Sequence, residues 1–410
     1  MLNRNFWLLF VNRAFTRIAY HLTTFALVVW VFRLTGANIA VSLWMVVFLV
    51  ASLITSFFSG VAADIYDRRR IMFFSNIAWG VTALAFLLVP DSFPGILLVS
   101  FFAQGLDEFF SPAQNSALPQ IVASRDLIRA NSYLTLVTNI ANFLGYFLSG
   151  IMLRFIGFSA PFVTAAVLVT LGAMATLFLP PLDQEEKPVP FKMFFGLVKE
   201  KLADQFSYLV KNPNITRTMV ISAVILSVGA GAGSLAPGFA EQVLAIDARD
   251  LSFVAVLPIG LGLFLGALIL SRRGKFIPVW KGILGVGVIL LLLSASPFLR
   301  VFLGNHVVTP RGFEQVPFFS LVIATLSFLL GMFASCITIP IITSIQRLAP
   351  GPHMGRTFAA MGTVSSILTP SVALIFGPIA DLASPVIPII VVGVIVSISA
   401  FWVRAKVVIK

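Results

Sequence analysis

The residues best suited to chemistry in this chain are five ionisable side chains that interrupt long apolar stretches. Arg13, Arg17 and His21 are spaced by four, so a helix would stack them on one face. Asp107 and Glu108 are adjacent in a second apolar stretch. Ionisable groups inside a membrane are costly, and they therefore point to ion or substrate pathways. An acid that changes its surroundings can exchange a proton, and an arginine can hold an anionic group.

The two charged sets lie at matching depth if both stretches are membrane helices. With a rise of ~1.5 Å per residue, Arg17 and Asp107 each lie roughly 18 Å from the same end of the helical bundle. We expect Arg17, or failing that Arg13, to pair with Asp107 or Glu108. Neighbouring residues on a helix point about 100° apart, so we expect only one acid to face the arginines. Two roles stay open for the pair: a structural tie between helices, and a site that couples protons or binds substrate.

Other polar residues at comparable depth could contact a substrate, although each could equally form an interhelical hydrogen bond. His21 titrates near neutral pH when unperturbed, so it could shuttle protons or be a hydrogen-bonded packing residue. The remaining cavity candidates are Tyr20, Gln104, Asn139 and Asn142. The sequence contains no nucleotide-binding loop, nucleophile constellation or metal-ligand cluster, so we expect neither an enzyme nor a cofactor or metal.

The composition places these residues in an integral membrane protein. Hydrophobic residues make up 59% of the 410 residues, charged residues 11%, and the mean hydropathy is +1.00. A soluble domain carries about 25% charged residues. Spans long enough to cross a membrane are predicted near 6–34, 39–63, 70–90, 94–119, 127–154, 158–180, 213–241, 250–271, 275–299, 315–347, 354–380 and 385–404.

The twelve spans form two groups of six, which predicts an all-α membrane protein built from two pseudo-symmetric six-helix bundles. The bundles would cover 1–180 and 213–410, and equivalent loops at equivalent places in both halves indicate a duplicated transporter. The linker 181–212 carries apolar residues at three- and four-residue spacing with lysines between them. This pattern favours an amphipathic helix lying on the membrane surface or packed on a face of the protein.

Basic residues set the expected orientation. Of the 28 Lys and Arg residues, 21 fall on one side of the twelve spans, five on the other, and Arg13 and Arg17 lie within the first span. Because basic loops stay inside the cell, both termini and the linker are predicted to be cytoplasmic in a multi-pass protein of the inner or plasma membrane. The net charge of +12 therefore reflects topology, and a nucleic-acid partner is not expected.

The residues between spans two and three match a known sequence signature. This run reads Gly60-Val-Ala-Ala-Asp64-Ile-Tyr-Asp67-Arg68-Arg69-Arg70. It resembles the loop signature of the major facilitator superfamily, which has Gly, three residues, Asp, a basic residue, a variable one, Gly or Asp, and further basic residues. Ile65 departs from that pattern. Asp67 with three arginines, together with the Ser-Pro-Ala-Gln element that starts at residue 111, resembles the macrolide-efflux and enterobactin-exporter branch.

The resemblance implies a gating role for this loop, with Asp64 near residues 355–357 or paired with an arginine. It further implies a secondary transporter that exports amphipathic or lipophilic small molecules by alternating access, in exchange for protons. We expect it to be a monomer surrounded by membrane lipids. Two alternatives stay open: a lipid or lysophospholipid transporter of the same fold, and a transport-inactive receptor or scaffold. In span five, Tyr146 and Ser149 replace the proline and a glycine of the superfamily's antiporter signature.

Overall fold

The computed structural model describes residues 2–123, 126–182, 207, 210–273, 278–298, 307–308, 316–348 and 351–406. Within these residues the chain is helical apart from turns and one antiparallel pairing of two-residue strands, β1 (Val307–Val308) and β2 (Val316–Pro317). Residues 183–206, which hold most of the predicted linker helix, lie outside the described part. The predicted all-helical fold class is confirmed.

Six helices occupy the first half, at the positions of the first six predicted spans. Their bounds are α1 Arg4–Thr35, α2 Asn38–Ile65, α3 Arg68–Ala85, α4 Phe93–Ile121, α5 Leu127–Phe155 and α6 Ser159–Leu177. Side-chain caps are present at the N-termini of α3 and α4. The carboxylate of Asp67 accepts the backbone N–H of Arg69 in α3, and Ser92 Oγ accepts that of Gly95 in α4. Such caps satisfy amide groups that have no partner within their own helix.

Six further helical segments occupy the second half. They are α7 Pro213–Gly233, α8 Leu257–Arg273, α9 Val279–Ser294, α10 Phe318–Leu348, α11 Gly351–Leu382 and α12 Val386–Lys406. A helical segment, Ala236–Leu244, follows α7 after a bend of 43°. Pro237 lies at the start of this segment, and proline lacks the N–H that would continue the helix.

The helix lengths agree with a membrane-spanning chain. Among the described residues, ten helices are long and apolar enough to cross a membrane, and the bent pair at α7 supplies an eleventh. The remaining predicted span, 275–299, corresponds to α9, which has 16 residues and is therefore only roughly 24 Å long. It is shorter than predicted at both ends, since it begins after Pro278 and ends at Ser294.

The chain divides into two compact units: unit 1 comprises Met1–Thr35 with Trp44–Lys201, and unit 2 comprises Gly36–Leu43 with Leu202–Lys410. Three helix pairs recur at equivalent positions in the two units. In unit 1, α1 packs on α5, and α3 packs on α4 and α6. In unit 2, α7 packs on α11, and α9 packs on α10 and α12. The predicted division into six-helix bundles at 1–180 and 213–410 stays a prediction.

The beginning of α2 belongs to unit 2, where the end of α11 holds it. Asp381 Oδ1 accepts the backbone N–H and the side-chain amide of Asn38, at 2.7 and 2.8 Å. Its Oδ2 accepts the backbone N–H of Ile39 at 2.8 Å. One turn on, Ser42 Oγ donates to the carbonyl of Ala373 at 2.7 Å. A carboxylate thus caps the positive end of this helix.

Candidate functional site

Unit 1 contains the ion pair between α1 and α4 that is expected from the sequence. Arg17 Nη1 lies 3.5 Å from Asp107 Oδ2, and the two side chains are only 14% and 12% exposed. The guanidinium of Arg17 also lies over the ring of Tyr20, 5.8 Å from its centroid. The pair lies near the middle of α1, because Arg17 is well inside the 32-residue helix Arg4–Thr35 rather than in its first or last turn.

Glu108 faces α2 instead of the arginines. Its Oε1 accepts hydrogen bonds from Ser52 Oγ at 2.5 Å and from Gln104 Nε2 at 3.1 Å. Gln104 Oε1 in turn accepts from the hydroxyl of Tyr20 at 3.2 Å. Among the described residues, Glu108 Oε2 has no hydrogen-bond partner, and it is not a buried atom. The two adjacent acids thus have different partners: Asp107 pairs with a cation, and Glu108 accepts hydrogen bonds from neutral groups.

A glycine allows α2 to approach α4 closely at this point. A Cβ at Gly105 would lie 3.0 Å from Thr55 Cγ2, closer than side chains ordinarily pack. Ser52 lies one turn from Thr55 on the same face of α2, and Glu108 lies three residues after Gly105 on α4. The small residue therefore brings the Ser52 hydroxyl within reach of the Glu108 carboxylate.

Arg13, one turn from Arg17, is bound only by neutral acceptors among the described residues. Its Nε donates to Thr138 Oγ1 at 3.0 Å, and its Nη1 donates to Gln114 Oε1 at 2.6 Å and Asn115 Oδ1 at 3.2 Å. Its Nη2 donates to no described residue and is not a buried atom. Arg17 rather than Arg13 is therefore the partner of the acid.

A chain of amides fixes the orientation of the acceptor that holds Arg13. Asn12 Nδ2 donates to the backbone carbonyl of Gly172 at 2.8 Å, and Gln114 Nε2 donates to Asn12 Oδ1 at 2.8 Å. A carbonyl can only accept, so the direction of every bond follows, and Gln114 Oε1 must face Arg13. Asn12 and Gln114 are not among the site residues expected from the sequence. The available signal was spacing, since Gln114 lies seven residues after Asp107 and thus on the same face of α4.

Three other candidates lie outside this network. His21 packs against α5, where its ring centroid is 4.6 Å from that of Tyr146. Its Nδ1 and Asn142 Oδ1 are buried and have no hydrogen-bond partner among the described residues, and Asn139 is exposed. A Cβ at Gly145 would lie 2.7 Å from His21 Cβ, so this glycine permits the close approach of α5.

The arginines of the signature loop have separate partners. Arg68 Nη1 donates to the carbonyl of Ser116 at 3.2 Å, and Arg69 Nη1 donates to that of Leu179 at 3.0 Å. Arg70 is exposed, with its Nε 3.9 Å from Asp67 Oδ2. Gly60 and Asp64 lie in α2, but the side chain of Asp64 is outside the described part. The predicted contact of Asp64 with residues 355–357 therefore stays a prediction.

Comparison with known proteins identifies the kind of protein. The model of the family "Major Facilitator Superfamily" matches residues 9–373. YfiS, an uncharacterised MFS-type transporter of Bacillus subtilis (strain 168), is 23% identical over 346 residues, which cover 82% of this chain and 77% of that protein. The macrolide-efflux and enterobactin-exporter branch is not among these matches and stays a prediction.

Solved transporters share the fold. A POT family transporter in complex with 5-aminolevulinic acid aligns with a TM-score of 0.69 at 13% identity, covering 98% of this chain and 96% of that one. The nucleoside transporter NupG aligns with a TM-score of 0.67 at 12% identity, covering 98% and 99%. At such identities the likeness concerns the fold alone. With the family match across most of its length, this chain is a membrane transporter, not an enzyme, and it belongs to the major facilitator superfamily.

Proposed function

We propose that this protein exports amphipathic or lipophilic small organic molecules by alternating access, in exchange for protons, and that Glu108 carries the proton. The observation that supports this assignment is the difference between two adjacent acids. Asp107 lies beside the cation of Arg17, whereas Glu108 is hydrogen-bonded only to neutral groups among the described residues.

The different partners make proton binding easier at Glu108. Protonation of Asp107 would leave Arg17 without its counter-charge, and breaking a buried pair in this way costs roughly 3–5 kcal/mol in soluble cores. Protonation of Glu108 instead removes a charge from the membrane interior and leaves no cation unpaired. The Oε2 atom of Glu108 is open to receive the proton, and the donors on Oε1 can stay in place.

The same network offers contacts for a substrate. Gln104 joins Glu108 to Tyr20, so a change in the charge of Glu108 alters the hydrogen bonding of both side chains. The open Nη2 of Arg13 is a further donor for a polar atom of the substrate. Apolar side chains that include Leu27, Phe48 and Trp79 line a pocket together with Tyr20 and Gln104, and such a lining suits a ligand that is largely lipophilic.

The basic residues support the orientation that we propose, with both termini and the 181–212 linker in the cytoplasm of a cell-membrane protein. The outward direction of transport rests on the resemblance of the signature loop to exporters. In this account the protein acts as a monomer made of two six-helix bundles, and the signature loop, including Asp64, acts as its gate.

Transport by purified protein in liposomes tests the proposal, with Hoechst 33342 and ethidium as lipophilic dyes and an imposed pH gradient as the driving force. We expect the gradient to accelerate dye movement by the wild-type protein but not by Glu108→Gln. The matched control is the double variant Arg17→Gln/Asp107→Asn, which removes an acid and its cation together and should keep the acceleration.

Gradient-driven movement in Glu108→Gln that equals that of the wild type would refute the assignment of the proton to Glu108. Movement of a fluorescent lysophospholipid, with none of either dye, would favour a lipid transporter of the same fold instead.

A further inference from the structure

A cleft lies between the start of α3 and the end of α6, away from the Arg17–Asp107 pair. Its volume is about 250 Å³, and its lining consists of Arg69, Arg70, Phe73, Phe74 and Leu177. Pockets that enclose whole small ligands measure roughly 300–1,000 Å³, so this cleft has room for part of a molecule rather than all of one.

Helical spacing explains why this lining is cationic at one end and apolar at the other. Arg69 and Phe73, like Arg70 and Phe74, are four residues apart and thus lie on one face of α3. The two phenyl rings contact each other edge to face, with centroids 5.3 Å apart. Phe74 is 64% exposed and Leu177 52% exposed, as expected of side chains that face lipid in a membrane protein.

The cationic end of the cleft carries more positive than negative charge. The carboxylate of Asp67 is within 4.0 Å of Arg69 Nε and 3.9 Å of Arg70 Nε, so one acid faces two arginines. Asp67 also accepts backbone N–H groups from Arg69 and Leu182. The side chain of Arg70 is 74% exposed and retains donors for a ligand, whereas Arg69 is held in position by the carbonyl of Leu179.

We propose that this cleft binds an anionic phospholipid. The phosphate would lie on Arg69 and Arg70 at the first turn of α3, and an acyl chain would follow Phe73, Phe74 and Leu177 along the membrane. Arginine forms paired hydrogen bonds with phosphate, and basic pockets beside membrane helices are known to bind lipid headgroups. This proposal does not depend on the substrate or on proton coupling.

Native mass spectrometry of the purified full chain tests it, with dioleoyl-phosphatidylglycerol and dioleoyl-phosphatidylcholine as probes that share the same acyl chains. The wild-type protein should retain phosphatidylglycerol at lower concentration than phosphatidylcholine. Arg70→Gln should weaken retention of phosphatidylglycerol roughly fivefold, because this is the change in affinity expected when one basic residue near a lipid surface is lost. The control is Arg129→Gln, which removes an exposed arginine from the start of α5 and should have no such effect.

A second comparison separates a lipid from a free phosphate. Glycerol 3-phosphate carries the anionic group without acyl chains, and it should displace the lipid only at much higher concentration. Phe74→Ala, which removes part of the apolar lining, should weaken binding of the lipid and leave binding of glycerol 3-phosphate unchanged. The proposal would be overturned if the wild type retained both phospholipids equally, or if Arg129→Gln lost as much retention as Arg70→Gln. Displacement of the lipid by glycerol 3-phosphate at concentrations similar to those of the lipid would also overturn it.

Discussion

Neutralising Arg17 or Asp107 alone should destabilise the protein more than neutralising both. The two charged atoms are 3.5 Å apart, and their side chains are mostly buried. At an effective dielectric constant of about 20, two charges at that distance attract by about 5 kcal/mol. Removing one partner forfeits this attraction and leaves the other charge buried, with an expected cost of roughly 3–5 kcal/mol.

The double variant Arg17→Gln/Asp107→Asn should recover most of that loss, because no unpaired charge remains and the two amides can still form a hydrogen bond. For a folding unit of this size, 1 kcal/mol corresponds to roughly 2–4 °C in the thermal midpoint. Each single variant should therefore unfold on the order of 10 °C below the wild type, and the double variant within a few degrees of it.

Thermal unfolding in detergent, followed by circular dichroism for the wild type, both single variants and the double variant, measures this cycle. An interaction energy near zero, with the double variant as unstable as the sum of the singles, would refute the pairing as a source of stability. A matched cycle with Arg249 and Asp247, a pair within 2.5 Å at the start of the segment that leads to α8, should give a smaller value. That pair is more exposed to solvent.

Three further predictions follow from the packing and the proposed topology. Gly145→Ala should lower the thermal midpoint and raise the mobility of α5, since the added methyl would overlap His21 and the backbone of Ile18; an unchanged midpoint would contradict the close packing of α1 and α5. Asp381→Ala should speed hydrogen exchange at the backbone amides of Asn38 and Ile39 about fivefold, because loss of a helix cap costs about 1 kcal/mol; unchanged exchange would count against the cap. In a Cys336→Ala background, a cysteine at exposed Asp91 should react with a membrane-impermeant maleimide from outside the cell and one at exposed Tyr66 should not; the reverse pattern would invert the orientation.

The spans and the depth of the charges could be predicted from the sequence, because both depend only on length along the chain. The length of each apolar stretch predicts a membrane-spanning helix, and the helical rise per residue predicts that Arg17 and Asp107 lie at the same depth. The identity of the paired acid could not be predicted in the same way. It depends on the rotation of α4 about its axis, which the packing of Gly105 against Thr55 helps to set.

The roles of neutral polar residues are harder to predict from the sequence. Asn12 orients the side-chain amide of Gln114, which accepts a hydrogen bond from Arg13. In the sequence, however, a single amide residue in an apolar stretch does not reveal whether it forms an interhelical hydrogen bond or binds a ligand. Four-residue spacing predicts a shared helix face for Arg13 and Arg17. The structure gives the two arginines different partners, since the residues that meet them lie on several helices and are remote in sequence.

Infrared difference spectroscopy of the reconstituted protein tests the central claim, that Glu108 is the group that binds and releases the proton. A pH increase should remove the absorption of a protonated carboxyl group in the wild type and in Arg17→Gln/Asp107→Asn, and this signal should be missing in Glu108→Gln. A protonated-carboxyl signal that persists in Glu108→Gln with wild-type amplitude would contradict the account.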